Sequence, residues 1–175
     1  PNDRVLVVGC GIIGLLTIQA ARALGAGTIV ATDLSDRRLE AARVCGADVA
    51  VKPPDLVNET EFDLAFEAVG APPTVNTAIE KLRKAGTAVL IGNVSPEVPF
   101  PLQTVVTRQL SVLGSCASSG EYAECLQLIA GGEVNLEPLI SATVPLNRAP
   151  EMFMTLHQSP ENLLKVIVRP GETGE

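Results

Sequence analysis

Residues 4–33 read RVLVVGCGIIGLLTIQAARALGAGTIVATD, and this stretch decides the fold. It begins with an apolar run, Arg4–Val8, that stops at Gly9. Apolar residues then recur at close to helical spacing over residues 12–24, and a second apolar run covers Thr28–Thr32. Strands buried on both faces of a parallel sheet are apolar throughout, and a helix joins one such strand to the next. The stretch therefore predicts a strand, a helix and a second, parallel strand.

The rest of the chain continues this alternation. We expect further strands at residues 48–51, 63–69, 87–91 and 110–114, and further helices at residues 35–45, 72–83 and 119–130. Six strands with helical crossovers indicate an α/β fold, a doubly wound six-stranded parallel sheet with helices on both faces.

Three shorter segments lie outside this alternation. Pro53 and Pro54 are expected to exclude regular structure. Residues 98–100, between prolines, are expected to form a short extra strand, and residues 102–107 a helical turn. The end of the chain adds two strands, at 139–144 and 165–168, and a helix at 149–157 that the six-stranded sheet does not need. The sequence thus predicts one main domain with a short C-terminal αβ tail.

Composition bounds the class of protein. Hydrophobic residues make up 46% of the chain and charged residues 19%, a composition too apolar for a disordered protein. At 175 residues, the chain is too short to hold a second full-sized domain. A net charge of -7 without a basic cluster argues against nucleic acid as a partner. The apolar stretches fall far short of the ~20 residues that cross a bilayer, and none resembles a signal peptide. These features predict a soluble cytoplasmic protein with no membrane partner.

The residues that most often bind metals or form disulfides are scattered. Cys10, Cys45, Cys116 and Cys125 are isolated and never spaced as C-x-x-C, and His157 is the single histidine. Neither a disulfide framework nor a metal site is therefore expected. We interpret Cys10 as a small space-filling residue, and the role of His157 stays open.

Three glycines carry the main functional signal. Gly9, Gly11 and Gly14 spell G-x-G-x-x-G directly after the first expected strand and at the start of the first expected helix. Asp33 ends the second expected strand, 19 residues after Gly14. This context is that of a dinucleotide-binding fingerprint. Gly9 permits the tight turn, Gly11 lets the backbone approach the pyrophosphate, and Gly14 lets the helix pack closely on the sheet.

Further groups are expected to contact the dinucleotide. The backbone amides of Ile12 and Ile13 would face the phosphates at the positive end of the helix dipole. Asp33 can accept hydrogen bonds from both ribose hydroxyls of NAD, whereas the 2′-phosphate of NADP would meet like charge there. We therefore predict NAD rather than NADP, although Arg37 and Arg38 could attract a phosphate.

A methyltransferase dependent on S-adenosylmethionine is the alternative that shares this pattern, because those enzymes also place a glycine-rich turn after their first strand and an acid after their second. They usually carry an acidic residue two positions before the first glycine, where this chain has Val7. Their turn also tends to lack the glycine found here at Gly14. The methyltransferase is therefore the less favoured interpretation.

Six segments follow one another in an order that matches a known family. They read VLVVGCGIIG, ATDLSDRRLEAARVCGAD, FDLAFEAVG, GTAVLIGN, QLSVLGS and LLKVIV. In these segments the chain resembles the zinc-dependent medium-chain dehydrogenases, most closely their sorbitol and threonine dehydrogenase branch. The resemblance implies that residues 1–135 form an NAD-binding Rossmann domain and that residues 136–175 return to a GroES-like catalytic domain outside this sequence. Because the chain starts at Pro1, almost directly in a strand, we interpret it as part of a longer protein.

The resemblance also implies which residues meet the cofactor. Besides the glycine turn and Asp33, it points to Arg38 beside the adenosine, Val69 and Gly70 in a loop over the cofactor, Ile91 and Gly92 near the nicotinamide, Ser115 and Cys116 at its carboxamide, and Lys165 near the pyrophosphate. Each of these additional residues also has a plain explanation in packing. Ala117 stands where some polyol dehydrogenases have an arginine, which leaves polyol specificity open.

The family transfers hydride between a secondary alcohol or polyol and NAD, with zinc held in the catalytic domain. The resemblance therefore implies that this chain supplies NAD binding, has no catalytic residues or metal of its own, and is inactive alone. It further implies a homodimer or homotetramer, with a contact through residues 98–100. The alternative from another class is a stand-alone NAD-sensing or interaction module.

Overall fold

The computed structural model describes residues 1–158 and 163–171. The chain divides into two compact units, Pro1–Asn135 and Leu136–Glu175. The glycine motif at residues 9–14 and Asp33 lie in the first unit, so this unit positions the candidate site.

The first unit is built on one six-stranded sheet. Its strands are β1 (Arg4–Val8), β2 (Thr28–Thr32), β3 (Val49–Val51), β4 (Phe62–Glu67), β5 (Leu82–Leu90) and β6 (Ser111–Gly114). Its helices are α1 (Ile12–Ala23), α2 (Asp36–Val44), α3 (Pro72–Glu80), α4 (Leu102–Arg108) and α5 (Tyr122–Ala130). The strands lie in the order β3-β2-β1-β4-β5-β6, and all neighbouring pairs are parallel. The predicted doubly wound parallel sheet is confirmed.

The strand order reverses at β1. Val5 lies opposite Ile29 of β2 on one side and opposite Leu64 of β4 on the other. Connections that leave β1 and β4 therefore run in opposite directions, and a crevice opens between them at the carboxyl ends of the strands. This crevice is where a ligand of such a sheet is expected.

The central strand β1 is buried on both faces. Leu6 and Val8 belong to a buried cluster that includes Val75 and Ile79 of α3. Val7 faces the other way, toward Gly14 of α1. Because successive side chains of a strand point to opposite faces, a helix on each side explains why β1 is apolar at every position from 5 to 8.

The expectation of no regular structure at the two prolines is wrong. Pro53–Asn58 forms a 3₁₀ helix. Proline is compatible with the first positions of a helix, because the N–H that it lacks has no partner there and its φ is already suitable. Leu56 is buried in the core and anchors the turn.

β5 begins earlier than the sequence predicts. Helix α3 ends at Glu80 rather than continuing to Arg83, and β5 already starts at Leu82, which pairs with Phe62. The pairing then shifts, so that Leu64 lies opposite Thr87. This irregularity places the charged residues 83–84 within a strand. A search for apolar runs therefore does not predict the first part of β5.

The short extra strand predicted at residues 98–100 is not present in the described structure. A strand needs a hydrogen-bonded partner, and no strand of the two described sheets pairs with this segment. The neighbouring Pro96, Pro99 and Pro101 also remove three backbone donors. The helical turn expected after it is α4.

The second unit contains a small parallel pair of strands. Its main elements are β7 (Ile140–Pro145), α6 (Ala149–Gln158) and β8 (Lys165–Arg169). β7 and β8 pair in parallel, and α6 lies between them in sequence. The predicted αβ tail is therefore present. Within the described ranges, no helix of either unit is long and apolar enough to cross a bilayer.

A polar network lies at the amino ends of the strands of the main sheet, opposite the crevice. Asp63 accepts hydrogen bonds from the backbone N–H of Arg4 (2.7 Å) and from the side chain of Arg83. Arg4 also pairs with Glu59 and lies 4.9 Å from the centroid of the Phe62 ring. The backbone N–H of Arg4 and then the hydrogen bond from Arg83 hold the pKa of Asp63 below its ordinary value.

Replacing Asp63 with Asn is expected to remove part of the stability at neutral pH. A carboxylate whose pKa is lower in the folded chain stabilises it above the unfolded pKa of about 4, and this contribution is lost as the pH falls through the folded value. We expect Asp63→Asn to lower the free energy of unfolding by about 1 kcal/mol at pH 7 and by less near pH 3.

Urea unfolding at both pH values measures this difference. Asp55→Asn, at an exposed carboxylate of the same unit, is the control and should change little at either pH. An Asp63→Asn effect of equal size at both pH values would contradict the role given to its charge.

Candidate functional site

The glycine turn after β1 begins the site. Gly9 has a φ of +95°, a left-handed conformation that favours glycine. Its N–H donates to the carbonyl oxygen of Thr32 (2.9 Å), which ties the turn to the end of β2. A Cβ on Gly9 would lie 2.5 Å from Cγ2 of Val69. Both the backbone conformation and the space therefore require glycine.

Gly11 and Gly14, the next two glycines of the turn, differ in the space available around them. A Cβ on Gly14 would lie 1.8 Å from the carbonyl oxygen of Gly9, so Gly14 lets α1 lie directly against the turn. A Cβ on Gly11 would meet no atom within 4 Å. Gly11 is the N-cap of α1, and no side chain caps this helix end. The amides of Ile12 and Ile13 thus lie at an open, positive helix terminus that suits a phosphate.

Asp33 connects the glycine turn to the start of α2. Its side chain is 9% exposed. One carboxylate oxygen accepts the N–H of Cys10 (2.8 Å) and the other the N–H of Ser35 (2.9 Å). Nη1 of Arg38 lies 3.9 Å from Asp33 Oδ2, whereas Arg37 is exposed on α2. The structure thus brings Asp33 and Arg38 together at the β2 side of the crevice.

Cys10 lies inside the glycine turn and is fully buried. Burial, with a smaller contribution from the negative charge of Asp33, raises the pKa of its thiol to about 12. Its Sγ lies 3.7 Å from the carbonyl oxygen of Thr32. A thiol that stays protonated is a poor nucleophile, which supports the interpretation of Cys10 as a space-filling residue.

Glu67 is a buried acidic residue beside the candidate site that the sequence patterns do not predict. It is the last residue of β4 and is fully buried. Its Oε1 accepts the N–H groups of Val69 (2.9 Å) and Gly70 (2.8 Å), and its Oε2 also accepts from Gly70 (3.0 Å). The available signal was an acidic residue at the end of an apolar strand, three positions before a glycine.

The loops after β4 and β5 meet beside the glycine turn. The N–H groups of Ile91 and Gly92 both donate to the main-chain oxygen of Glu67, at 2.8 and 3.0 Å. A Cβ on Gly92 would lie 2.1 Å from the nitrogen of Gly70. With the side chain of Val69 against Gly9, the three loops meet at the centre of the crevice. The predicted residues Val69, Gly70, Ile91 and Gly92 therefore belong to one cluster.

The family model for zinc-binding dehydrogenases matches residues 13–131. Over 167 residues the chain is 36% identical to the probable D-xylulose reductase A of Aspergillus terreus, covering 87% of this chain and 47% of that protein. Over 150 residues it is 35% identical to L-idonate 5-dehydrogenase (NAD(P)(+)) of Escherichia coli K12, covering 82% and 44%. The crystal structure of 2R,3R-butanediol dehydrogenase from Bacillus subtilis matches with a TM-score of 0.89 and 27% identity, covering 97% and 51%. The chain belongs to the zinc-binding dehydrogenase family.

This zinc-binding dehydrogenase chain spans about half the length of the curated relatives it matches. The predicted resemblance to zinc-dependent medium-chain dehydrogenases is confirmed. Membership of the family also decides against the methyltransferase alternative.

The remaining predicted site residues lie on the far side of β5 or in the second unit. The N–H of Ser115 donates to the carbonyl oxygen of Leu90 (2.9 Å), which fixes the end of β6 beside the β5 loop. Cys116 and Ala117 are exposed just beyond it. Lys165 is exposed on β8, and its approach to a pyrophosphate stays a prediction.

Metal ligands are not brought together in the part of the chain that the structure describes. Across residues 1–158 and 163–171, no three His, Cys, Asp or Glu side chains are grouped so that they could hold an ion. His157 is exposed on α6. The zinc that gives the family its name thus has no candidate ligand set among the described residues.

Replacing Gly11 or Gly14 with alanine should have different effects, on NADH binding in the first case and on the stability of the fold in the second. Because a methyl group on Gly11 would fill only open space, Gly11→Ala should melt within about 2 °C of the unaltered chain but bind NADH about tenfold more weakly, equal to roughly 1.4 kcal/mol. Gly14→Ala forces a methyl group into a backbone oxygen and should destabilise the fold by about 3 kcal/mol or more.

Thermal unfolding and NADH fluorescence titration measure both effects. A Gly11→Ala variant that binds NADH as tightly as the unaltered chain would show that the pyrophosphate does not approach this turn.

Proposed function

We propose that this chain binds NAD and orients its nicotinamide for hydride transfer in a zinc-dependent alcohol or polyol dehydrogenase. The observation that carries the proposal is the pairing of an uncapped helix start at Gly11 with a nearly buried carboxylate, Asp33, at the end of the next strand. A dinucleotide offers a pyrophosphate to the helix start and a ribose diol to the carboxylate.

The adenosine half would bind over β1 and β2. The amides of Ile12 and Ile13 would bind the pyrophosphate at the positive end of α1. Each oxygen of Asp33 already accepts one N–H and retains a lone pair for a ribose hydroxyl. Arg38, next to Asp33, would lie beside the adenosine.

The nicotinamide half would bind over β4, β5 and β6, since the dinucleotide crosses the point where the strand order reverses. NAD supplies the ring that accepts the hydride. The 69–70 loop would cover the cofactor, while Ile91 and Gly92 would lie near the ring. Ser115 and Cys116 would hold the carboxamide, and Lys165 would approach the pyrophosphate.

The activity of the whole enzyme is a wider proposal. The similar proteins named as D-xylulose reductase, L-idonate 5-dehydrogenase and 2R,3R-butanediol dehydrogenase support a secondary alcohol or polyol as substrate. In the proposed enzyme, residues 136–175 complete a catalytic domain that holds the zinc and most of the substrate pocket. We propose that this enzyme is cytoplasmic. We therefore expect no dehydrogenase turnover by this chain alone.

NADH should bind this chain at least about tenfold more tightly than NADPH, because the 2′-phosphate would meet the carboxylate of Asp33. Asp33→Ala should narrow that gap. Asp36→Ala, at the exposed first residue of α2, whose carboxylate pairs with Lys52, is the control and should leave the gap unchanged. Calorimetry that gives equal affinities for the unaltered chain would refute the role of Asp33.

We also propose that the chain self-associates, as a homodimer or homotetramer. The segment from residue 94 to residue 106 supports this, because it exposes four large apolar side chains: Val94, Phe100, Leu102 and Val106. Phe100→Glu should therefore weaken the assembly while leaving NADH binding intact. Size-exclusion chromatography with light scattering measures the mass, and a monodisperse monomer of the unaltered chain at micromolar concentration would count against the proposal.

A further inference from the structure

Gln19 is a buried side chain of α1 that binds the main chain 116 residues further on. Its Oε1 accepts the N–H of Asn135 (2.6 Å), and its Nε2 donates to the carbonyl oxygen of the same residue (3.0 Å). We propose that these two hydrogen bonds form a latch that opens independently of the main sheet. The closed latch fixes the residue at which the first unit ends, and the open latch frees the second unit to move. The inference goes beyond the proposed function, because it involves no coenzyme.

The two hydrogen bonds restrain the chain at residue 135 in both position and direction. One planar amide group binds the N–H and the C=O of Asn135 at the same time, so this residue cannot turn while both bonds are made. Nε2 of Gln19 also lies 3.6 Å from Sγ of Cys45, the C-cap of α2. The amide group of Gln19 therefore joins the end of the first unit to two of its helices.

Burial gives the latch two distinct states. Gln19 is only 6% exposed. A buried amide group is stable only while its donor and acceptor are paired, and a thiol such as that of Cys45 is a weak partner. When Asn135 leaves, water has to reach the Gln19 amide in its place. The latch is therefore either closed and dry or open and hydrated.

The glycine pair before the latch does not supply the flexible point. Gly131 and Gly132 follow α5, and two adjacent glycines give a chain unusual freedom to turn. The N–H groups of residues 131–134, however, all donate to carbonyl oxygens of the last turn of α5, at 2.8 to 3.2 Å. Val134 is also buried. This segment is a capped helix end, so the chain can turn freely only after Asn135 while the latch is closed.

The division of the chain into two units coincides with the latch. The first compact unit ends at Asn135 and the second begins at Leu136, so the chain crosses between them once. Relative motion is the ordinary behaviour of compact units joined by a single connection. A latch on the last residue before the crossing therefore decides whether such motion starts there or further back, at the end of α5.

The main sheet does not need the latch. A buried cluster that contains Leu6, Phe62 and Ile79 lies on the α3 side of the sheet, whereas α1 lies on the other side, against Val7. Segments held by few contacts open at a smaller cost in free energy than the core, without global unfolding. Opening at Asn135 should therefore expose the chain on either side of it while β1 and β4 stay paired.

The test is limited proteolysis of the 175-residue chain and of its Gln19→Leu variant. Leucine has a similar size and helix propensity but neither donates nor accepts a hydrogen bond. A protease that cuts after glutamate should reach Glu133 and Glu137 when the latch opens, and Glu67, within β4, only when the sheet unfolds. We expect Gln19→Leu to speed cleavage at the first two sites by at least about tenfold relative to cleavage after Glu67.

Gln127→Leu is the control, because it makes the same change at an exposed glutamine of α5. It should leave the ratio of the cleavage rates unchanged. If Gln19→Leu accelerates cleavage equally at all three sites, the bonds to Asn135 only add to overall stability and the inference is overturned. The absence of any acceleration overturns it as well.

A second measurement uses the unaltered chain, in case Gln19→Leu does not fold. Cleavage after Glu133 and Glu137 should depend less steeply on urea concentration than cleavage after Glu67, because a local opening exposes less surface than global unfolding. The same urea dependence at all three sites would show that the latch opens only together with the sheet. NADH takes no part in either measurement, so a failure of the proposed function leaves both of them valid.

Discussion

The backbone contact between Gly14 and the carbonyl oxygen of Gly9 is the constraint on which the rest of the first unit depends. Because no side chain separates them, α1 begins directly against the end of β1. This placement brings the start of α1 to the crevice and lets Val7 pack beneath the helix. A wider spacing would move the amides of Ile12 and Ile13 away from the crevice, so this one contact fixes both the packing of α1 on the sheet and the position of its amino end.

Two carboxylates flank this contact in comparable positions. Asp33 ends the strand on one side of β1 and binds the amide of Cys10, and Glu67 ends the strand on the other side and binds the amide of Gly70. Each stabilises the loop next to it by accepting backbone N–H groups that would otherwise lack partners. They differ in exposure, since Asp33 reaches the crevice and Glu67 is fully buried. Asp33 is open to a ligand in the crevice, whereas Glu67 is enclosed by the loops that it holds.

The local part of this arrangement follows from the sequence, and the non-local part does not. The glycine turn and Asp33 were predictable because turn geometry and strand spacing are set by nearby residues. Glu67 was not, because its partners become visible only when the loops after β4 and β5 fold together. The early start of β5 was hidden because residues 83–84 are charged and because Leu82 finds its partner, Phe62, only across an entire helix. Residues 98–100 show the converse, because a β-like pattern without a partner strand forms no strand.

The pairing of β1 with β4 also determines the order in which the chain can fold. Val5 and Leu64 are 59 residues apart, so this parallel contact closes a long loop and is expected to form late. Until it forms, the two halves of the sheet are separate and the crevice does not exist. A ligand that spans both halves would bind only the completed sheet, and at a hundred times its Kd it would add about 2.7 kcal/mol to the stability of the fold. The coenzyme would thus stabilise the domain only after the two halves of the sheet have paired.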